Sequence, residues 1–284
     1  MPKLIALVDG SVYARSTCDH AAWIAQRTGA AVEILHVLGR RETPGATADL
    51  SGNIALGART ALLQELSAHD AERAKLSQKR GRAILDDAKA IVEDAGVGEV
   101  TTRLRFGDIV ETVAEYEAEA DMLVIGKRGE AADFAKLHLG SNLERIARSS
   151  HKPLFVAARA FRPIERFLIA YDGGTSSMKA VDHIARSPLF AGLACRLLTV
   201  GPDTDATRKR LEDARAVLAA GGYTVNADIL PGHPETAIAE VVEAEGIDLL
   251  VMGAYGHSRI RSLIIGSTTA EMLRSCKVPV VLFR

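Results

Sequence analysis

Short apolar runs alternate with longer stretches of helical periodicity along most of this chain. Leu4 to Val8 (LIALV) is apolar at consecutive positions, which suits a strand buried on both faces of a parallel sheet. Ala14 to Thr28 carries apolar residues at helical spacing, among them Ala22, Trp23, Ile24 and Ala25, and Gly29 stops it. Val32 to Leu38 predicts a second strand, Arg73 to Ala95 a helix closed by Gly96, and Val100 to Phe106 a third strand. A helix over Ile109 to Ala120, a strand over Met122 to Ile125 and a helix over Ser141 to Ser149 follow. Leu154 to Ala157, entered through Lys152-Pro153, predicts strand five.

The pattern then starts again. Phe167 to Tyr171 is followed by Asp172-Gly173-Gly174 as LIALV is followed by Asp9-Gly10. Arg196 to Val200 matches the second strand, and Gly232-His233-Pro234 matches Gly107-Asp108-Ile109. YEAEADMLVIGKRG returns as VEAEGIDLLVMGAYG, and LHLGSNLERIARSSHKPLFVAAR as LIIGSTTAEMLRSCKVPVVLFR. Self-similarity on this scale predicts tandem homologous domains, over 1–160 and 161–284. The offset between copies is 163 residues from Asp9 to Asp172 and 125 from Gly107 to Gly232, which leaves 38 extra residues in the first half. They lie around 39–80. The front of this insert is rich in Gly, Ala and Thr and reads as a loop. Its rear, from about Ala58, looks helical. The insert reads as a surface loop with a helix extension, or as a lid or dimer arm.

Alternating strands and helices argue for an α/β fold: two doubly wound, five-stranded parallel sheets of order 3-2-1-4-5. In such a sheet the ligand crevice lies outside the carboxyl ends of strands one and four. Val278 to Phe283 and Leu154 to Val156 read as edge strands that need cover, so the halves are expected to meet through them around a pseudo-two-fold axis.

Composition narrows the classes. Of the 284 residues, 35 are basic and 36 acidic, a balance that shows no bias toward nucleic acid. Cys18, Cys195 and Cys276 have neither C-x-x-C nor metal-ligand spacing, which fits a reducing cytoplasm. No run approaches the ~18 apolar residues of a membrane span. Walker, G-x-G-x-x-G, H-E-x-x-H and G-x-S-x-G motifs do not occur, so no catalytic residue and no dedicated metal site is assigned.

The stretch with the clearest ligand chemistry is GAYGHSRIRSLIIGS, Gly253 to Ser267. It joins an apolar run to a helical pattern and reads G-x2-G-x9-G-S. Glycines at a strand end let backbone approach a ligand. Gly266-Ser267 at a helix start adds free N–H groups and the positive end of the helix dipole, and Arg259 and Arg261 lie between. Backbone amides at both ends of such a loop suit a phosphate chain. His257 lies inside this loop and His233 follows Gly232. Each is either a ligand contact or a helix-entry residue. Asp172 either faces the ligand or satisfies loop N–H groups.

The strand-one Asp, the G-x2-G-x9-G-[ST] motif and the Cys276-Lys277-Val278-Pro279-Val280-Val281 close together resemble the universal stress protein family in its tandem form. The resemblance covers nearly the whole chain, leaving out the first-half insert. It implies a flavodoxin-like or HUP-like fold and an ATP site, with Mg or Mn accompanying the nucleotide. It places Gly253, Gly256, Gly266, Ser267 and Thr268 at the ribose and phosphates, Asp172 by the nucleoside, Val200 by the adenine and Gly232 on the ribose side. His257 and Arg259 belong to the same loop. In the first half the corresponding residues are Asp9, Val37, Gly126, Gly129, Gly140 and Ser141. That half departs from the motif: ten residues, not nine, separate Gly129 from Gly140-Ser141, and Glu130 and Asp133 bring negative charge. Lys127, Arg128 and Lys136 are expected to offset it. The second half is therefore the favoured ATP site. The function implied is that of a stress-response regulator or sensor that binds ATP, as a monomer of paired domains or a homodimer. A slow ATPase or nucleotidyl transferase, and a nucleotide-free interaction module, are the alternatives.

Overall fold

The computed structural model describes residues 1–39, 56–130, 141–254 and 266–284, with only the backbone of 56–64 and of 141. The first half runs β1 (Lys3–Leu7), α1 (Ala14–Thr28), β2 (Ala31–Leu38), α2 (Leu56–Asp94), β3 (Val100–Phe106), α3 (Ile109–Tyr116), β4 (Met122–Gly126), α4 (Ser141–Ser149) and β5 (Leu154–Ala157). The second repeats it as β6 (Arg166–Ala170), α5 (Thr175–Arg186), β7 (Ala194–Val200), α6 (Asp205–Ala220), β8 (Val225–Leu230), α7 (Pro234–Ala244), β9 (Leu249–Gly253), α8 (Ser267–Ser275) and β10 (Val280–Phe283).

The strands form one ten-stranded sheet of order β3-β2-β1-β4-β5-β10-β9-β6-β7-β8. Each half has the expected 3-2-1-4-5 order with parallel pairing. The two halves join through antiparallel β5 and β10, in register Val280↔Val156, Val281↔Phe155 and Leu282↔Leu154. The two strands that would have been edges thus satisfy each other. The sheet's outer edges are β3 and β8.

The consecutive apolar residues of the strands feed two cores. Leu4, Ala6 and Val8 face one layer, packed under α1, α2, α5 and α6, while Ile5 and Leu7 face the other, under α3, α4, α7 and α8. Both layers run unbroken across the β5–β10 join. Phe155, Val156, Val280 and Val281 are fully buried there, and full burial of such side chains contributes about 1.5–3 kcal/mol each.

Polar contacts reinforce the seam reciprocally. Lys127 of the first half donates its ammonium to the Cys276 carbonyl and, at 3.1 Å, to the Val278 carbonyl, capping the end of α8. Arg284 of the second half donates to the carbonyls of Arg148 (2.8 Å), Ser149 (3.3 Å) and Ser150 (3.4 Å), capping the end of α4. Cations suit a helix carboxyl end because its last carbonyls lack intrahelical donors. Arg27 likewise reaches from α1 to the Leu189 and Ala191 carbonyls.

The structure corrects three boundaries. The helix expected to reach Ala120 ends at Tyr116, and Glu117–Glu119 forms a single 3-10 turn. β6 ends at Ala170, and β10 begins at Val280, after Pro279. The helical rear of the insert is continuous with the helix behind it. α2 has 39 residues, about 58 Å at 1.5 Å per residue. Gly81 lets it press on the sheet, since a Cβ there would stand 2.9 Å from Leu104 Cδ1 and 3.1 Å from His36 Cδ2. Among the described residues no helix is long and apolar enough to cross a membrane.

Candidate functional site

At the carboxyl ends of β1, β2 and β4, where the winding reverses, the first half holds a cleft of about 520 Å³. That volume lies within the ~300–1,000 Å³ typical of small-molecule sites. Its base is Leu7–Asp9 and His36–Gly39, one side is Gly107–Ile109, and the other is Gly126, Gly129 and the first turn of α4 at Asn142 and Leu143. Of the residues expected here, the structure brings Asp9, Val37, Gly126 and Gly129 together around this cleft. Ser141 begins α4 beside it, and Gly140 lies outside the described residues.

The end of β1 is held by its neighbours. His36 Nδ1 bonds the Val8 carbonyl at 2.8 Å. Since a carbonyl only accepts, Nδ1 carries the proton. The Asp9 carboxylate accepts from Ser11 N–H and Glu130 N–H, both at 3.0 Å, tying the loop after β4 to the end of β1. Gly107 has φ 129°, a conformation that favours glycine. It delivers Asp108, whose carboxylate caps α3 through Val110 N–H (2.9 Å) and Glu111 N–H (3.3 Å). Burial alone would raise the Asp108 carboxyl, but Arg145 at 2.8 Å and those N–H groups hold it below the usual range.

Three features of this site escaped the sequence reading. Ser77, Arg80 and Ile84 of α2 form a wall of the cleft, so the helix carrying the insert belongs to the site. Their i, i+3, i+7 spacing is the one signal that could have found them. Arg80 pairs with Glu130 across the mouth, which neutralises part of the negative charge expected of Glu130. Lys127, expected to help offset that charge, instead turns away from the cleft into the seam.

The glycines also acquire a different reason. A Cβ on Gly126 would stand 2.6 Å from Tyr13 Cβ, and one on Gly253 would stand 3.0 Å from Ser176 Cβ. Both therefore admit the start of α1 or α5 against the strand end. A Cβ on Gly129 would meet Asp9 Oδ2 at 2.8 Å.

The second half repeats the arrangement with other side chains. Thr199 replaces His36 and donates to the Tyr171 carbonyl at 2.9 Å. Asp172 accepts from Gly174 N–H (2.8 Å) and Ser177 Oγ–H (2.6 Å), so it holds its own loop and the start of α5. Gly232 has φ 114°, like Gly107, but His233 caps α7 with no side-chain bond. Val200 ends β7 next to Gly201, which donates to the Leu230 carbonyl at 2.9 Å. Gly253 ends β9, and Gly266 N–H reaches back to the Ala254 carbonyl at 3.3 Å. Gly266 stands at the N-cap of α8 and gives it no side-chain cap, whereas Asp108 and Thr204 cap α3 and α6. Ser267 is exposed, and Thr268 donates to Glu235 at 2.7 Å. Gly256, His257 and Arg259 lie outside the described residues. Among the described residues no group of three or more His, Cys, Asp or Glu side chains is placed to hold a metal ion.

Comparison with known proteins completes the picture. The universal stress protein family profile matches residues 1–158 and 198–284. The universal stress protein Slr1230 of Synechocystis sp. is 38% identical over 287 residues, which covers 100% of both chains. A universal stress protein of Mycolicibacterium smegmatis is 24% identical over 233 residues, 73% of this chain and 78% of its own. Among solved structures, a universal stress protein from Archaeoglobus fulgidus shares the fold, with a TM-score of 0.70 at 20% identity over 99% of this chain and 98% of that one. With two profile matches in tandem and a relative alike from end to end, the chain belongs to the universal stress protein family.

Proposed function

We propose that this chain is an ATP-binding stress-response protein with two nucleotide sites of unequal affinity, one at the carboxyl ends of β1 and β4 and one at those of β6 and β9. The observation that carries the reading is the cleft of about 520 Å³ at the switch point of the first half. The pseudo-symmetric placement of Asp172, Val200, Gly232, Gly253, Gly266, Ser267 and Thr268 supports a counterpart in the second.

The residues present fit such a group. Asn142 and Leu143 line the cleft in the first turn of α4, and the first N–H groups of a helix have no intrahelical acceptor. α8 begins without a side-chain cap, which leaves its first turn to an anion. Val37 and Val200 offer half-buried apolar surface to a base. The second site is expected to be the tighter one, because its loop sequence keeps the nine-residue spacing and has His257 and Ile260 where the first half has Glu130 and Asp133. Bound phosphates would supply the charge on which Mg or Mn sits. Nucleotide acts here as a signal: it shifts a conformational equilibrium only by its differential affinity for the two states.

Equilibrium dialysis with labelled ATP tests this. Asn142→Glu and Thr268→Glu place a carboxylate in the first turn of α4 or α8, where it repels a phosphate; because Thr268 donates to Glu235, Ser267→Glu at the exposed neighbouring position serves as a second α8 variant. Each variant is expected to lose one of two sites. Failure of the wild-type chain to retain ATP rejects the proposal.

A further inference from the structure

The seam between the halves holds a second, smaller pocket of about 220 Å³. Lys127, Arg128, Arg159, Arg274 and Lys277 line it beside Tyr13, and none of its lining residues among the described ones is acidic. The cations converge from three places: the loop after β4, the residues after β5, and the carboxyl end of α8. Lys127 and Arg274 are among those whose charge is already engaged. Lys127 occupies the Cys276 and Val278 carbonyls, so those oxygens do not face an anion, and Arg274 shares its charge with Glu271 at 2.7 Å. Arg159 and Lys277 are exposed, and no ion pair among the described residues neutralises either.

Concentrated positive charge is costly to a fold unless something offsets it. At Lys127 it is burial that pushes the ammonium down to about 8, against the Cys276 thiol, and the Arg128 charge adds a smaller push the same way. The fold itself does not require this cation. At the equivalent position after β9 the second half has Ala254 in place of Lys127, yet β9 forms as β4 does. The basic seam is therefore an addition on one side of a pseudo-symmetric frame.

We infer that the seam pocket binds a compact, multiply charged oxyanion of the phosphate class, with Arg159 and Lys277 closing on it from the two halves above Lys127. The volume admits a pyrophosphate and is too small for a nucleoside attached to its phosphates. The site is independent of the nucleotide reading, and its occupant bridges the two halves. Tyr13 and Arg128 also line the first-half cleft, so the two sites share a wall.

Calorimetric titration of the full chain with sodium pyrophosphate decides the matter. In the chain that combines Asn142→Glu with Thr268→Glu, whose cleft phosphate sites are blocked, one pyrophosphate per chain is expected, weakening as salt rises. Combining Arg159→Ala with Lys277→Ala removes two charged contacts from exposed positions, and is expected to weaken binding by roughly tenfold or more. The Gln versions of both substitutions should behave alike, because they keep most of the side-chain stem and a polar end but lose the charge. The cleft variant combining Asn142→Glu with Thr268→Glu is expected to keep the pyrophosphate site intact, even if ATP binding fails altogether. The inference is overturned if the wild-type chain gives no saturable heat, if the Arg159/Lys277 variants bind like the wild type, or if the cleft variant abolishes binding.

Discussion

Acidification should unlatch this fold at one identifiable residue, His20. The ring is fully buried in α1, between Phe155 (5.2 Å between centroids) and Phe161 (5.0 Å). Its Nδ1 lies 2.6 Å from the Ser16 carbonyl and so carries the proton, while Nε2 has no partner among the described residues. A charged ring would have to present a second N–H to a site with no acceptor. Burial accordingly pushes His20 from its ordinary 6.5 down to about 4, though the Ser16 carbonyl resists the change. The unfolded chain takes up this proton near pH 6.5 and the folded chain only near pH 4. The stability the neutral ring contributes is thus complete above pH 6.5 and is lost as pH falls toward 4. The gap corresponds to about 3 kcal/mol at most. Urea unfolding followed by circular dichroism between pH 6.5 and 4.5 reads this window. Glu33 and Asp108 are held low in the folded state, so their contributions are lost only below their ordinary values of 4.5 and 3.8. His183 is also lowered by burial and adds a loss of the same sign, so a variant must isolate His20. His20→Leu keeps the site apolar and removes the titration. It is expected to flatten the pH dependence by about 2 kcal/mol across the window. An identical slope in wild type and variant would refute the reasoning.

Three further outcomes follow from the packing. Gly126→Ala forces a Cβ to 2.6 Å from that of Tyr13, and overpacking of that kind should destabilise the chain by about 1–3 kcal/mol, read as a lower thermal midpoint. Arg284→Ala leaves three carbonyls at the end of α4 without their donor, and a loss of about 1–2 kcal/mol is expected in chemical unfolding; no change would mean that water replaces it freely. All three cysteines are buried, and burial pushes Cys18 and Cys195 up to about 12. The folded protein should therefore resist iodoacetamide at neutral pH while the unfolded chain reacts fully; rapid labelling of either thiol in the folded protein would contradict the burial.

Much of the fold was legible because parallel strands buried on both faces leave continuous apolar runs, and because the chain writes them twice. The pairing of β5 with β10 could be anticipated for the same reason: two apolar edges in one molecule need cover. Boundaries set by local competition were harder. Nothing in the periodicity of Ile109 to Ala120 marks Tyr116 as the last residue of α3. The site was legible as a position in the sheet and less so as chemistry. Asp9, Val37, Gly126 and Gly129 could be gathered from the repeat. The direction of a side chain in a loop cannot be read from its neighbours, so Lys127 was assigned to the wrong side of its own strand end. Ser77, Arg80 and Ile84 sit far in sequence from the glycines, and only the packing of α2 against β2 and β3 brings them to the cleft.

The most direct test of the account is native mass spectrometry of the full chain with saturating ATP, which counts bound nucleotides one molecule at a time. Two ATP masses per chain are expected, one in Asn142→Glu or in Thr268→Glu, and none when the two substitutions are combined. A wild-type chain that flies only at its unliganded mass would contradict it.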